Sequence, residues 1–312
     1  MPFTYLAYGI PVISSIELPA LFGTTDNTNG LTPIIVEVGI VPPTLRETPL
    51  EQKPFTIFNE QEFRYEIPEV ARYYVSEGTQ IVIEPLGENW DEILLYVYCN
   101  CLAAALFQRN LIPFHVSGVL IRAKEVLLFA APSRTGKSTT ALMLQHKGYA
   151  PFTDDTALLI IKDGNAYAQA SYPMMRLWQN TIEQQSLLQE ADKQQLFAEL
   201  NKYGFAFHEQ FVEEDVKVAG IVFLEEEGTE ITIEKLKPKT TMQLLGMNIY
   251  RRQWLNGMKK QLLQFKQLTA LANAIPAWKA VRPQGTLTFE SFATSIDEQI
   301  IQELIQQDVL TQ

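Results

Sequence analysis

The chain has 312 residues, a length that suits two domains or one large one, with the 46% hydrophobic and 20% charged content of an ordinary soluble globular protein. Its 25 Lys and Arg against 36 Asp and Glu leave a net charge of -11, which argues against binding a nucleic-acid backbone as the main activity. No apolar run approaches the ~20 residues of a membrane span, and the start, MPFTYLAYGI, lacks the basic residues of a secretion signal, so a cytoplasmic protein with no membrane partner is expected.

Residues 1–86 read as strands and turns. Phe3 to Ile16 is aromatic and β-branched, interrupted at Gly9-Ile10-Pro11, and Gly23 to Leu31 has loop chemistry. Thr32 to Val41 is strand-like. Pro42, Pro43, Pro49 and Pro54 then predict a linker or long loop, and Ala71 to Val75 with Gln80 to Glu84 predicts a hairpin about Ser76–Thr79. Nothing in this region carries a catalytic signature, so it reads as a scaffold or recognition module.

From Trp90 to Asn110 the period changes. Ile93, Leu94, Val97, Leu102, Ala105 and Leu106 recur at helical spacing and predict a largely buried helix. Cys99 and Cys101 fall within it, two apart and so on nearly opposite sides, which predicts free thiols and neither a disulfide nor a metal pair. His115 to Arg122 follows as a strand, then a short turn at Ala123-Lys124. On its own, a lone histidine such as His115 in apolar company is a structural residue.

The stretch VLLFAAPSRTGKSTTALMLQHKGYAPFTDD, from Val126 to Asp155, is the one around which the rest is arranged. Val126 to Ala131 is an unbroken apolar run that suits a strand buried on both faces. A polar turn, Pro132 to Gly136, leads into Lys137-Ser138 and a helix over Thr139 to Lys147, stopped by Gly148. Ala131, four residues, then Gly136-Lys137-Ser138 fits a relaxed phosphate-binding loop. Consecutive backbone N–H groups from Ser133, Arg134, Thr135, Gly136, Lys137, Ser138 and Thr139 would cradle a polyphosphate, helped by the positive end of the helix. Lys137 would reach the outer phosphates and the Ser138 hydroxyl would ligate Mg²⁺.

In such a fold the strand after the helix is expected to return beside the first strand, with its C-terminal end facing the phosphates. Asp154 and Asp155 fall at that end, placed for Mg²⁺ and for accepting a proton from an attacking hydroxyl. Farther on, Ala157 to Ile161 and Ala219 to Leu224 read as strands, and Thr181 to Asn201 as a Gln- and Glu-rich helix. Glu225-Glu226-Glu227 is a rival metal carboxylate, read instead as an exposed hairpin tip before Glu230 to Leu236. Thr240 to Ala274, containing Arg251, Arg252 and Trp254, reads as mostly helical and should end before Pro276. His146 and His208 read as structural.

Taken together these residues resemble the HPr serine kinase/phosphorylase family and its stand-alone relatives, some of which phosphorylate serine on precursor peptides. The resemblance covers roughly His115 to Trp178: PFHVSGVLI, APSRTGKSTTAL, HKGY and Asp154-Asp155, and more loosely VARYYVSEGTQIVIEPLG and YPMMRLW. It implies a mixed α/β fold, with a P-loop domain like HPr kinase and PEP carboxykinase over 87–312 behind a smaller β-rich region at 1–86. It further implies ATP and Mg²⁺ as cofactors, Asp155 as the base, Lys137 on the transferring phosphate, Ser138 with Asp154 on Mg²⁺, and His115 near the phosphates. The acceptor would be a serine on a peptide or small protein, and a homo-oligomer is hinted at.

Three features depart from the family's pattern. Arg134 stands where a second loop glycine is usual. The family's further metal-ligating glutamate has no match, Gln169 to Tyr172 being the place to look. The arginine-containing loop that assists the reverse reaction is also unmatched, with Lys202 and Lys217 as weak stand-ins. Two alternatives share the loop: an enzyme of the same fold with a small-molecule acceptor, such as a sugar kinase or a carboxykinase, and a nucleotide-binding regulator that has lost turnover.

Overall fold

In the computed structural model, residues 1–25, 30–132, 135–178, 194–197, 202–284 and 288–309 are described. They form a mixed α/β structure with three sheets. The first contains β1 (Phe3–Ala7), β2 (Ile10–Ser14), β3 (Phe22–Gly23), β4 (Ile34–Val38), β5 (Glu51–Lys53), β6 (Thr56–Phe58), β7 (Glu62–Ile67), β8 (Ala71–Ser76) and β9 (Gln80–Pro85). Their order is β3-β1-β2-β4-β9-β8-β7-β6-β5. Two tight hairpins set its registers. Tyr8-Gly9 (φ 54 and 69) joins β1 to β2 as a two-residue loop with the left-handed pair such loops need, and Glu77-Gly78 (φ 56 and 65), followed by Thr79, joins β8 to β9.

The proline-rich stretch is a long loop over 39–50, one of the two forms expected of it, and only its end departs, as the β5–β6 hairpin with Pro54 in the turn between the strands. The chain before β5 is pinned by Glu62, whose carboxylate accepts from Arg46 N at 2.9 Å, Glu47 N at 3.0 Å, Asn59 Nδ2 at 3.1 Å and the Tyr74 hydroxyl. Burial pushes this carboxyl up, but those donors more than reverse it and hold it down at about 2 against an ordinary 4.5. A carboxylate depressed on folding stabilises the fold above its unfolded value, and that contribution is lost as pH falls. Stability should therefore drop by about 3 kcal/mol between pH 4.5 and about 2, and urea unfolding of Glu62→Gln should show a flatter dependence across that window.

Under the first sheet lies the expected apolar helix, Trp90–Gln108. It runs as α1 (Trp90–Tyr96), a wider π turn at Val97–Cys101 and α2 (Leu102–Gln108). Asn89 caps it, accepting from Glu92 N. Hydrogen bonds from the Tyr73 hydroxyl to Ile93 O (2.9 Å) and from Gln108 Nε2 to Val75 O (3.1 Å) fix it against β8. Contrary to the expectation from the sequence, its 19 residues are long and apolar enough to cross a membrane by length and composition. Here most of that surface is spent on the protein's own core. Cys99 and Cys101 are free thiols on the π turn.

The second sheet is built on β12 (Glu125–Ala130), following β10 (Pro113–Phe114) and β11 (Val116–Arg122). Then come α3 (Lys137–His146), β13 (Ala150–Thr153), β14 (Ala157–Lys162) and β15 (Asn165–Ala170). A small separate sheet holds β16 (Met174–Trp178), β17 (Gln194–Phe197) and β18 (Lys202–Ala206). Residues 194–197 are thus a strand where a helix over Thr181 to Asn201 was expected; pairing with Tyr203 and Gly204 overrides a weak helical pattern, and 179–193 lie outside the described residues. The second sheet continues with β19 (Val216–Glu226), β20 (Thr232–Lys235) and β21 (Ala277–Arg282).

The order through this sheet is β10-β14-β15-β19-β12-β11-β13, with β21 beside the C-terminal half of β19. β13 therefore does not return beside β12. The antiparallel β11 lies between them, pairing with both at Gly118, so β13 and β12 still run in the same direction and end at the same edge. The tip reading of Glu225–Glu227 is also corrected, because β20 pairs with β21 and not with β19. As its unbroken apolar run requires, β12 is buried on both faces. Val126, Leu128 and Ala130 face the Trp90–Gln108 side, and Leu127 and Phe129 face α3.

The stretch expected to be one helix is two, α4 (Pro238–Met247) and α5 (Gln261–Ala274), the second ending before Pro276 as expected. Between them Trp254 plugs into an aromatic cluster with Phe58, Phe63 and Phe107, at ring distances of 6.3, 4.7 and 6.2 Å. Filling that hole holds 248–260 out of the helix. After β21 the chain closes with α6 (Phe289–Ile296), packed on α3, and α7 (Gln302–Val309).

Candidate active site

The site is built where β12 gives way to α3. Gly136 caps α3 in the left-handed region (φ 101), and a Cβ there would meet Phe289 Cε1 at 2.6 Å, so both backbone and space demand glycine. No described side chain caps the helix. Ser133 and Arg134 lie outside the described residues. Thr135 N donates to Pro132 O at 3.4 Å, closing the loop, and Thr139 is buried in the first turn of α3.

Lys137 folds back over this loop, its ammonium donating to Ala131 O at 2.7 Å and Pro132 O at 3.5 Å. Ser138 Oγ donates to Asp154 Oδ1 at 2.7 Å, and Ser117 Oγ on β11 donates to the same oxygen at 2.5 Å. Asp154 is almost fully buried, so these hydroxyls stabilise its charge.

Asp154 and Asp155 follow the end of β13 in a tight turn closed by Thr156 N to Asp154 O at 3.0 Å, with Asp155 at φ 74. His115, between β10 and β11, packs beside them. Its Nδ1 lies 2.7 Å from Asp155 O and 3.6 Å from Asp155 Oδ1. Because a carbonyl only accepts, Nδ1 carries the proton and Nε2 is the acceptor of the neutral ring. Burial pulls the imidazole below its ordinary value, Asp155 offsets part of this, and the nearby Lys137 ammonium adds to it, so His115 is neutral at neutral pH.

A cleft of about 590 Å³ opens at this end of the sheet. Its lining includes His115, Asp155, the loop's first residues Ala131 and Pro132, Glu225 and the segment Asn248 to Arg251, which is bonded to His115's own segment through His115 N to Asn248 O at 2.7 Å. The structure thus brings His115, Asp154, Asp155, Lys137 and Ser138 to one place. Sequence reading missed one residue of the cleft lining. Arg251 (φ 55) sits beside the rings of Tyr250 and Trp254, 5.0 and 5.7 Å from their centroids, and its buried Nε has no hydrogen-bond partner. Burial opposes its charge, but Tyr250, Cys99, Asp155 and Tyr65 more than compensate and raise its pKa. The signal was present in YRRQW, two arginines set among aromatics inside an otherwise helical pattern.

Glu225 lines the cleft and is paired with Lys279 at 2.7 Å. The other stand-ins fare worse. Gln169 to Tyr172 offers no carboxylate, and Ser171 lies buried 3.4 Å from Thr153 Oγ1. Lys217 pairs with Glu125 at the opposite end of β12, away from the cleft, and the Lys202 side chain lies outside the described residues.

No protein-family model matches the sequence, and no curated protein matches it. Among solved structures, the HPr(Ser) kinase/phosphatase from Coxiella burnetii overlaps 61% of this chain and 98% of its own, at 11% identity and a TM-score of 0.30. An overlap that loose carries no weight on fold or activity, and the functional reading rests on the site's own geometry.

Proposed function

We propose that this chain is an ATP- and Mg²⁺-dependent kinase that transfers the γ-phosphoryl group to a serine hydroxyl of a peptide or small protein, on a P-loop fold like that of HPr kinase over 87–312. The observation that carries the reading is the linked set Lys137, Ser138, Asp154, Asp155 and His115 at the start of α3, of which His115 and Asp155 line one cleft together with Ala131 and Pro132, the loop residues whose carbonyls Lys137 holds. A glycine-bounded turn with a lysine is common. One whose serine is hydrogen-bonded to an acidic pair beside an open cleft is not.

The residues present fit Mg²⁺. Ser138 Oγ and Asp154 Oδ1 are hard oxygen donors already 2.7 Å apart. Among the described residues no group of three or more His, Cys, Asp and Glu could hold a metal ion. Bound there, Mg²⁺ would neutralise charge developing on the β- and γ-phosphates.

The chain's own groups supply the rest. Backbone N–H groups of Thr135 to Thr139 hold the phosphate tail, and Lys137 exchanges its loop carbonyls for the γ-phosphate. Asp155 takes the proton as the serine oxygen bonds to the γ-phosphorus and the bond to ADP breaks. His115, neutral and bonded to the Asp155 carbonyl, fixes the turn without neutralising the base. Arg251, which lines the cleft, supplies a cationic group there.

Incubation with Mg·ATP and a pool of serine-containing peptides, read by mass spectrometry, should reveal phosphoserine. Phosphate on free sugars or other small hydroxyl compounds alone would transfer the mechanism to a small-molecule acceptor. ATP binding without any turnover would make the chain a nucleotide-binding regulator.

A further inference from the structure

The first sheet carries no catalytic signature, yet its β1–β2 turn reaches the back of the carboxylate turn. Tyr8 stands at the tip of that hairpin with φ 54, and its backbone N–H donates to Ala170 O and Ser171 O at 3.0 and 3.2 Å. Its hydroxyl lies 2.6 Å from Thr156 Oγ1, and both residues are fully buried. Thr156 is the residue after Asp155 and closes the Asp154–Asp155 turn through its own N–H. Its carbonyl accepts from Thr153 Oγ1 at 2.7 Å.

The turn is therefore clamped from within by Thr153 and Thr156, from the cleft side by His115, and from behind by Tyr8. The other end of the same sheet braces another part of the cleft lining, where Phe58 and Phe63 seat Trp254, three residues from Arg251.

We propose that Tyr8 is a positioning residue whose hydroxyl, bonded to Thr156, holds the Asp154–Asp155 turn in its left-handed geometry, so that the N-terminal sheet sets the alignment of the base. Its catalytic consequence rests on the phosphotransfer reading. A backbone at φ 74 is disfavoured for a non-glycine residue and persists only where its surroundings impose it. Removing one clamp lets Asp155 drift from its aim, and a supporting hydrogen bond of this kind carries about 10- to 100-fold in activity.

The test is Tyr8→Phe, which deletes one oxygen and keeps the ring and the backbone bonds, with Thr156→Val and Thr156→Ser beside it. In Tyr8→Phe and Thr156→Val, amide hydrogen exchange should accelerate selectively over 153–157. ATP hydrolysis, with water as acceptor, should lose about tenfold or more in kcat with KM for ATP nearly unchanged. Thr156→Ser, which keeps the hydroxyl, should behave as wild type. Exchange over 153–157 no faster than in wild type would overturn the clamp. So would a uniform acceleration over the whole chain, or unchanged kcat beside faster local exchange. If the wild-type chain turns over no ATP, the kinase reading fails on its own, and the exchange comparison still decides whether Tyr8 holds the turn.

Discussion

Asp155→Asn should abolish phosphoryl transfer while leaving Mg·ATP bound, a loss of about 10²- to 10⁴-fold in rate, the range of a positioned general base. The substitution isolates the carboxylate unusually well. Asparagine is among the side chains most tolerant of the left-handed region, so the φ of 74 survives, and His115 bonds to the backbone carbonyl of residue 155, which the substitution does not touch. Asp154, the hydrogen-bond partner of Ser138, also stays in place. Equal transfer rates for the two proteins, with equal ATP affinity, would remove Asp155 from the role of base.

Lys137→Ala should weaken ATP binding and transfer together, by about 10- to 100-fold in affinity, the scale of a hydrogen bond to a charged group. Lys137 is 6% exposed and ties the loop through Ala131 O and Pro132 O, so its loss also loosens the empty loop. Urea unfolding separates the two effects. A stability loss with unchanged nucleotide affinity would make the lysine a strut of the loop and end its assignment to the phosphates. A fall in affinity at nearly constant stability is the expected result.

What could be read from the sequence was whatever rests on local chemistry. The apolar run Val126 to Ala131 demanded a strand covered on both faces, the polar turn ending at Gly136 demanded a helix start, and the spacing from Ile93 to Leu106 demanded a buried helix; each is observed. The placement of β13 was half legible. That its end faces the loop follows from its direction, but the intervening β11 is a long-range pairing that no local pattern encodes. Prolines marked the loop over 39–50 correctly and hid only the short β5–β6 hairpin, whose turn holds Pro54. The break at 248–260 was hidden because it is enforced from outside, by the aromatic cluster that receives Trp254. Arg251 was lost with it, and with Arg251 the part of the cleft lining that 248–253 supplies. Tyr8 was invisible for the same reason, since its partner lies 148 residues away.

The most direct measurement is a crystal structure with Mg²⁺ and a non-hydrolysable ATP analogue. The triphosphate tail should lie along Thr135 to Thr139, with the γ-phosphate between the Lys137 ammonium and the Asp155 carboxylate and the metal beside Ser138 and Asp154. A nucleotide bound elsewhere, or a γ-phosphate remote from Asp155, would contradict the kinase assignment.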